Sequence, residues 1–205
     1  MPSDTLSLLE ANAPPNPLEL FAQWYLAAQA AQILEPSAMT LATATADGQP
    51  SARMVLMRGF DERGFTFYTN YLSRKAGELA QNPRVALVFH WPQLERQVRI
   101  EGGVEKVSVA ESDAYFRSRP FGHKLGAHAS DQSEVIASRQ VLEDRLNELL
   151  KRFHENDDVP RPEHWGGYRV LPRTIEFWQG QANRLHDRLR YQRIDGGWKL
   201  DRLGP

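Results

Sequence analysis

"AMTLATATADGQPSARMVLMRGF", residues 38–60, sets the fold class. Its two halves read as β-strands, and Asp47-Gly48 between them is a hairpin signal because glycine supplies the positive φ that a tight turn needs. The same texture continues outward. A turn at "DERG" (61–64) leads to "FTFYTN" (65–70), and "RVALVFHW" (84–91) and "RQVRIEGGVEKV" (96–107) follow. Gly102-Gly103 in the last of these predicts a bulge or a close backbone approach. Late in the chain, "GYRVLPRTIEFWQ" (167–179), "RLRYQRI" (188–194) and "GWKLDRL" (197–203) add strands, the last two joined by "DGG". Antiparallel strands with tight turns predict a mainly β, α+β fold: a closed or partly closed barrel with peripheral helices.

Four helices are predicted around it. Asn16 can cap the first, Pro17 suits its first position, and Glu19 falls where a capping box wants an acid. Leu18, Phe21, Ala22 and Tyr25 then repeat at helical spacing. A second helix starts at Ser73 and ends before Asn82-Pro83. A third starts at Ser108, where "SVAE" is a capping box, and ends before Pro120. The fourth is long, from about Ser130 to His154, with Leu142, Leu146, Leu149, Leu150 and Phe153 on one apolar face. "ENDDVPRPEHWGG" (155–167) reads as a polar loop. Residues 1–16 read as a mobile N-terminal arm and 17–205 as a single domain.

Composition narrows the function classes. Basic and acidic residues nearly balance, 25 to 26, which argues against a protein held to nucleic acid by bulk charge. The absence of cysteine excludes disulfides, thiol nucleophiles and cysteine metal sites, and fits a cytoplasmic protein. The start lacks the basic and apolar regions of a signal peptide, and no apolar run approaches the ~18 residues of a membrane span. The six histidines show no HxxxH or HxH spacing, and there is no P-loop or GxGxxG, so no metal is expected.

Several cationic features ask for a reason. "RLHDRLR" (184–190), read as a strand, puts Arg184, His186, Arg188 and Arg190 on one face. That face is either a solvated edge or a site for an anion. The helix at Ser73 carries Arg74 and Lys75 in its first turn, the wrong sign for a helix N-terminus. Either both reach into solvent, or an anion sits there with the backbone N–H groups. Tyr115 and Arg119, four apart, share a helix face, as an exposed pair or as a phosphate clamp. Arg53 and Arg58 interrupt an apolar strand on opposite faces, and serve one site only if the strand bulges or the site wraps its end.

Six blocks then resemble, in order and spacing, the motifs of the pyridoxamine 5′-phosphate oxidase family. They are "RMVLMRGFDERGFTFYTNYLSRKAGEL", "NPRVALVFHWPQLERQVRIEG", "YFRSRP", "DQS", "WGGYRVLP" and "EFWQGQANRLHDRLRYQR". The resemblance runs from about residue 36 to 205. It implies an FMN-binding split β-barrel, working as a homodimer with sites at the subunit interface. It also implies oxidation of pyridoxine or pyridoxamine 5′-phosphate to pyridoxal 5′-phosphate, with O2 reduced to hydrogen peroxide, in vitamin B6 biosynthesis and salvage. The family's FMN contacts fall on Arg53, Met54, Val55, Leu56, Met57 and Arg58, on Tyr68, Thr69, Arg74 and Lys75, and on Gln97, Gln132, Ser133, Trp178 and Arg188. Its substrate contacts fall on Arg58, Tyr115, Arg119, His123, Arg184, Leu185 and His186, with Arg184 and His186 nearest the chemistry. Three positions depart from the common pattern. Arg58 stands where lysine is usual, His123 where serine is usual, and His128 where tryptophan is usual. A flavin oxidase of the same fold acting on another ring, of phenazine type, and a non-catalytic FMN or pyridoxal phosphate binder are the alternatives.

Overall fold

The computed structural model describes residues 7–155 and 158–205. In chain order the helices are α1 (Pro17–Ala30), α2 (Arg74–Gln81), α3 (Val109–Ser118), α4 (Phe121–Ala129) and α5 (Arg139–Arg152). The strands are β1 (Ala38–Ala44), β2 (Pro50–Leu56), β3 (Gly59–Asp61), β4 (Gly64–Asn70), β5 (Arg84–Trp91) and β6 (Arg96–Lys106), then β7 (Trp165–Gln179), β8 (Asp187–Ile194) and β9 (Gly197–Arg202). All strand pairs are antiparallel, in the order β2-β1-β5-β6-β7-β4-β3, with β8 and β9 continuing from β7.

The expected hairpin forms. β1 and β2 pair from Ala38 opposite Leu56 to Ala44 opposite Pro50, with Gly48 at φ +93° in the turn. Strand β2 ends earlier than the sequence pattern suggests, however. The Met57 amide still donates to the Ser37 carbonyl, the next rung of the same register, but at 58 the chain leaves β1 and the Arg58 amide donates to the Thr66 carbonyl, 2.8 Å away on β4. That second bond brings the exit of β2 against β4 and curls the sheet into a half-barrel. It also places Arg58 in an irregular break, where alternation with Arg53 no longer applies.

Helix α1 fills the barrel. Asn16 Oδ1 accepts from the Leu18 amide and Pro17 takes the first position, as expected. The buried stripe is Leu18, Leu20, Phe21, Trp24 and Ala28, so Ala22 and Tyr25 lie only at its margin. Phe21 is fully buried, edge-on to Phe60, Phe65 and Phe89 at 4.8, 4.8 and 5.1 Å. Burying one such ring stabilises the fold by about 1.5–3 kcal/mol.

Strand β7 is the spine. One edge pairs with β6 from Tyr168 to Gln179; the other pairs first with β4 and then with β8. The register shifts between Glu101 and Gly102, where a Cβ on Gly102 would lie 2.0 Å from the Leu171 carbonyl. This is the close approach predicted from the glycine pair.

A second, smaller core of Phe116, Leu125, Ala127, Val159 and Trp165 sits under the helices α3, α4 and α5. The single long helix predicted from Ser130 is corrected here. Its first part, 130–138, is irregular, and α4 precedes it. Asn70 takes the Ser130 carbonyl, Lys75 takes the Gln132 side chain, and Ser133 is left-handed at φ +78°. These distant partners compete with the helix ladder. Leu146 and Leu149 of α5, and Phe153 just after it, pack on this core, whereas Leu150 is exposed.

The C-terminal strands need one further correction. Ala182–Arg184 form a 3-10 turn, Asn183 and Arg184 are left-handed at φ +56° and +63°, and β8 starts only at Asp187. Arg184 is therefore off the strand, and only Arg188 and Arg190 share the expected face. Of the expected arm, residues 1–6 lie outside the described residues. Leu8 is buried, and Arg202 holds Glu10 through Nε and Nη2 at 2.6 and 2.7 Å. The polar loop's residues 156–157 also lie outside the described residues.

Candidate functional site

The exit of β2, the end of β4, the start of α2 and the helices α3 and α4 enclose a cleft of about 820 Å³. Met54, Val55 and Leu56 line one wall, and Arg58 projects at its rim. Tyr68 and Thr69 come from the end of β4, where β7 fixes the register opposite Gly167 and Gly166. Lys75 comes from α2 and Gln132 from the irregular segment. Tyr115, Arg119 and His123 complete the set from α3 and α4. Eleven of the residues expected at the site are thus brought into one space.

Two groups in this cleft call for an anion. The Lys75 amine is buried, and its partners are all uncharged: Gln132 Oε1 at 2.6 Å, Thr69 Oγ1 at 3.0 Å and Ser73 Oγ at 3.1 Å. Burial, helped by the nearby Arg53, pulls its pKa down to about 8, against a smaller upward pull from Glu78. Ser73 heads α2 without capping it, since its hydroxyl donates to the Asn70 carbonyl, and the first turn holds no acid. The helix N-terminus is open to an anion.

Arg119 is the other group. It caps the C-terminal end of α3, with its guanidinium 4.5 Å from the Trp165 ring centre. Nη1 is buried without a hydrogen-bond partner, and burial lowers the guanidinium pKa. Beneath it Tyr68, Tyr115 and Trp165 stack nearly parallel, Tyr68 and Tyr115 at 3.9 Å. Trp165 was missed as a site residue although it opens the "WGGYRVLP" block. A tryptophan entering a strand before two glycines was the available signal. Gly166 and Gly167 are small because a Cβ on either would strike Tyr71 or Tyr68 and Val107.

Other expected residues do not line the cleft. Met57 belongs to the main core. Arg53 is taken by Glu78 at 3.1 Å and by Ser51 and Thr43. Arg74, mostly exposed, is held by Glu78 at 2.8 Å. Burial pushes the Glu78 carboxyl up, but hydrogen bonds from Ser51, Thr43, Arg74 and Arg53 outweigh it and hold the pKa at about 2. Ser133 follows Gln132 in an exposed turn.

Gln97, Trp178 and Arg188 form a separate row. They are direct cross-strand neighbours on β6, β7 and β8, on the face opposite the buried Val98, Phe177 and Leu189. His186 lies against Trp178, ring centres 4.7 Å apart, and Arg184 and Leu185 are exposed beside it. The Gln181 amide donates to His186 Nδ1 at 3.1 Å, so the neutral ring carries its proton on Nε2. Arg188 pairs with Glu176 at 2.9 Å and Arg190 with Asp201 at 3.1 Å. The cationic face is therefore largely answered by the chain's own acids. His128 packs on Phe116 and bonds the Pro160 carbonyl, outside the cleft.

Comparison with known proteins gives these two groups a context. Residues 26–153 match the pyridoxamine 5′-phosphate oxidase family model, and residues 165–205 match the pyridoxine 5′-phosphate oxidase C-terminal dimerisation region. The chain belongs to the pyridoxamine 5′-phosphate oxidase family. Its sequence is 63% identical over 199 residues to the pyridoxine/pyridoxamine 5′-phosphate oxidase of Gloeothece citriformis, covering 97% of this chain and 92% of the relative. The oxidase of Cupriavidus pinatubonensis is 57% identical, with 97% and 93% covered. Among solved structures, PhzG from Burkholderia lata, in complex with tetrahydrophenazine-1-carboxylic acid, is 34% identical. It superposes with a TM-score of 0.90 over 95% of both chains. An FMN-binding, pyridoxamine 5′-phosphate oxidase-related protein from Nostoc punctiforme shares the fold at 18% identity and a TM-score of 0.74. The described residues include no helix long and apolar enough to cross a membrane and no cluster fit for a metal ion.

Proposed function

We propose that this family member is an FMN-dependent oxidase that converts pyridoxine or pyridoxamine 5′-phosphate to pyridoxal 5′-phosphate. The carrying observation is one cleft with two separate anion-seeking groups, Lys75 at the start of α2 and Arg119 at the end of α3. Flavin and substrate each bring one phosphate. The buried lysine without a carboxylate and the orphaned Arg119 Nη1 fit such a pair.

When bound, FMN would supply the hydride acceptor and the route for reducing O2 to hydrogen peroxide. Lys75, Thr69, Gln132 and the open N-terminus of α2 would hold its phosphate. Arg119 and Tyr115 would hold the substrate phosphate, and Arg58 at the rim adds charge. Trp165 and the stacked tyrosines keep that end of the cleft apolar, which strengthens each ionic contact. His186, with Nε2 as donor, would orient the substrate group that loses hydride, an effective-concentration role.

The row Gln97–Trp178–Arg188, with His186 and Arg184, would act on a partner subunit's cleft in a homodimer. Its separation from the chain's own cleft supports this reading, as does the matching dimerisation region. Purified protein loaded with FMN is given pyridoxine or pyridoxamine 5′-phosphate in air. Aldehyde with equimolar peroxide is expected from pyridoxine 5′-phosphate, and aldehyde with peroxide and ammonia from the amine. A yellow protein that turns over neither would overturn the reading.

A further inference from the structure

The β7–β8 ladder ends at the pair Gln179–Asp187, and the loop it leaves is drawn tighter by one side chain. Gln181 Nε2 donates to Asp187 Oδ2 at 2.8 Å. Between them lie Arg184 and His186. The same carboxylate accepts from Arg202 Nη1 at 2.7 Å through Oδ1 and from the Leu8 amide at 3.2 Å through Oδ2. Arg202 is itself fixed by Glu10 and by the Leu8 carbonyl. Both ends of the chain therefore converge on Asp187.

The loop needs holding. Asn183 and Arg184 are both left-handed, a conformation that side-chain-bearing residues rarely adopt and that surrounding structure must enforce. Its internal backbone bond, Leu185 amide to Ala182 carbonyl, is long at 3.2 Å. The Gln181 amide in turn sets His186 through Nδ1. A carboxylate that anchors the Gln181 side chain thus fixes the backbone that selects the His186 tautomer.

We propose that Asp187 is a positioning residue for the oxidation: clamped by Arg202, it closes the loop that presents Arg184 and His186 to substrate. The inference rests on the proposed function for its link to turnover, but its structural half does not. Asparagine at 187 keeps the shape yet cannot accept from Gln181, Arg202 and Leu8 together, because one of its two heads is a donor.

The test compares wild type, Asp187→Asn, Gln181→Leu, Arg202→Met and Arg202→Lys as FMN-loaded proteins. Amide hydrogen exchange over 181–187 reads the loop, flavin absorbance reads cofactor content, and steady-state kinetics read turnover. Asp187→Asn and Gln181→Leu should keep wild-type flavin content. Both should exchange faster across 181–187, and kcat/KM should fall about tenfold, the size of one lost charge-assisted bond. Arg202→Met should follow them and Arg202→Lys should recover most of the loss. In an Arg184→Ala, His186→Ala background, Asp187→Asn should cost nothing further, because its effect passes through those two residues. Unchanged exchange in the loop, or the same loss in that background, overturns the proposal. Gln181→Leu removes only the closing bond, so it decides the matter if Asp187→Asn fails to fold. A wild type that oxidises neither phosphate defeats the functional reading instead, and the exchange result still decides whether Asp187 closes the loop.

Discussion

Arg119 stands over Trp165, guanidinium carbon 4.5 Å from the ring centre, with Nη1 buried and unpaired. The indole attracts the cation through its ring face and leaves its hydrogen-bond donors free. An arginine held this way keeps a buried N–H donor unspent.

Arg119→Met should raise the KM for either phosphorylated substrate by about ten- to a hundredfold, the loss of a bond to a charged group. Flavin content should stay at the wild-type level. Trp165→Phe should give a smaller rise, because a smaller ring still faces the cation. The measurement is KM by initial rates at saturating FMN.

Lys75 predicts a pH dependence with a definite sign. Its folded pKa, about 8, lies below the ordinary lysine value of 10.5. Between those values the unfolded chain binds more protons, so this residue's contribution to apoprotein stability rises with pH across the window. Anion binding runs the other way, since it needs the charged amine: FMN affinity should weaken as pH climbs through 8. Flavin fluorescence quenching against pH, in wild type and Lys75→Met, checks it. The variant should bind more weakly at pH 7 and show a flatter profile.

Arg58 sits in the break after β2, at the cleft rim, and is exposed. Arg58→Lys should change substrate affinity little, while Arg58→Met should weaken it about tenfold or more if a charged contact is lost. Equal affinity for Met and wild type, measured by substrate KM, would remove Arg58 from the phosphate.

Arg188 and Arg184 should fail differently. Arg188→Leu leaves the buried Glu176 with Arg99 as its one ion-pair partner among the described residues and removes a cation from the Trp178 row, so the purified protein should be pale. Arg184 is exposed in its loop, so Arg184→Leu should stay yellow and lose most of its turnover. Flavin absorbance and aldehyde formation separate the two.

Features settled within a few residues were legible in the sequence. The turn at Asp47-Gly48 and the capping box of Ser108 with Glu111 both formed as read. What failed depended on distant partners. Strand β2 stops because Thr66 on β4 offers its carbonyl to Arg58. The helix expected from Ser130 gives way to bonds with Asn70 and Lys75. Arg184 leaves its strand because the β7–β8 ladder ends at Gln179–Asp187 and the turn beyond it puts Asn183 and Arg184 in left-handed conformations. For the site, the resemblance marked eleven residues that line one cleft, but which of the marked residues share that space is a tertiary fact. No spacing shows that Arg53 is spent on Glu78, or that Trp165 stacks under Arg119.

Strand β7 carries Trp165 near one end and Trp178 near the other, roughly 40 Å of extended chain apart. If each site takes its cleft from one subunit and its Trp178 row from the other, two differently crippled chains can rescue one another. Lys75→Met and Arg188→Leu subunits, each poor in flavin alone, would assemble mixed pairs in which one site inherits both lesions and the other none. Co-expression of the two should then restore up to half of the normal activity per mixed pair, a genetic signature of an enzyme whose working unit is not the chain.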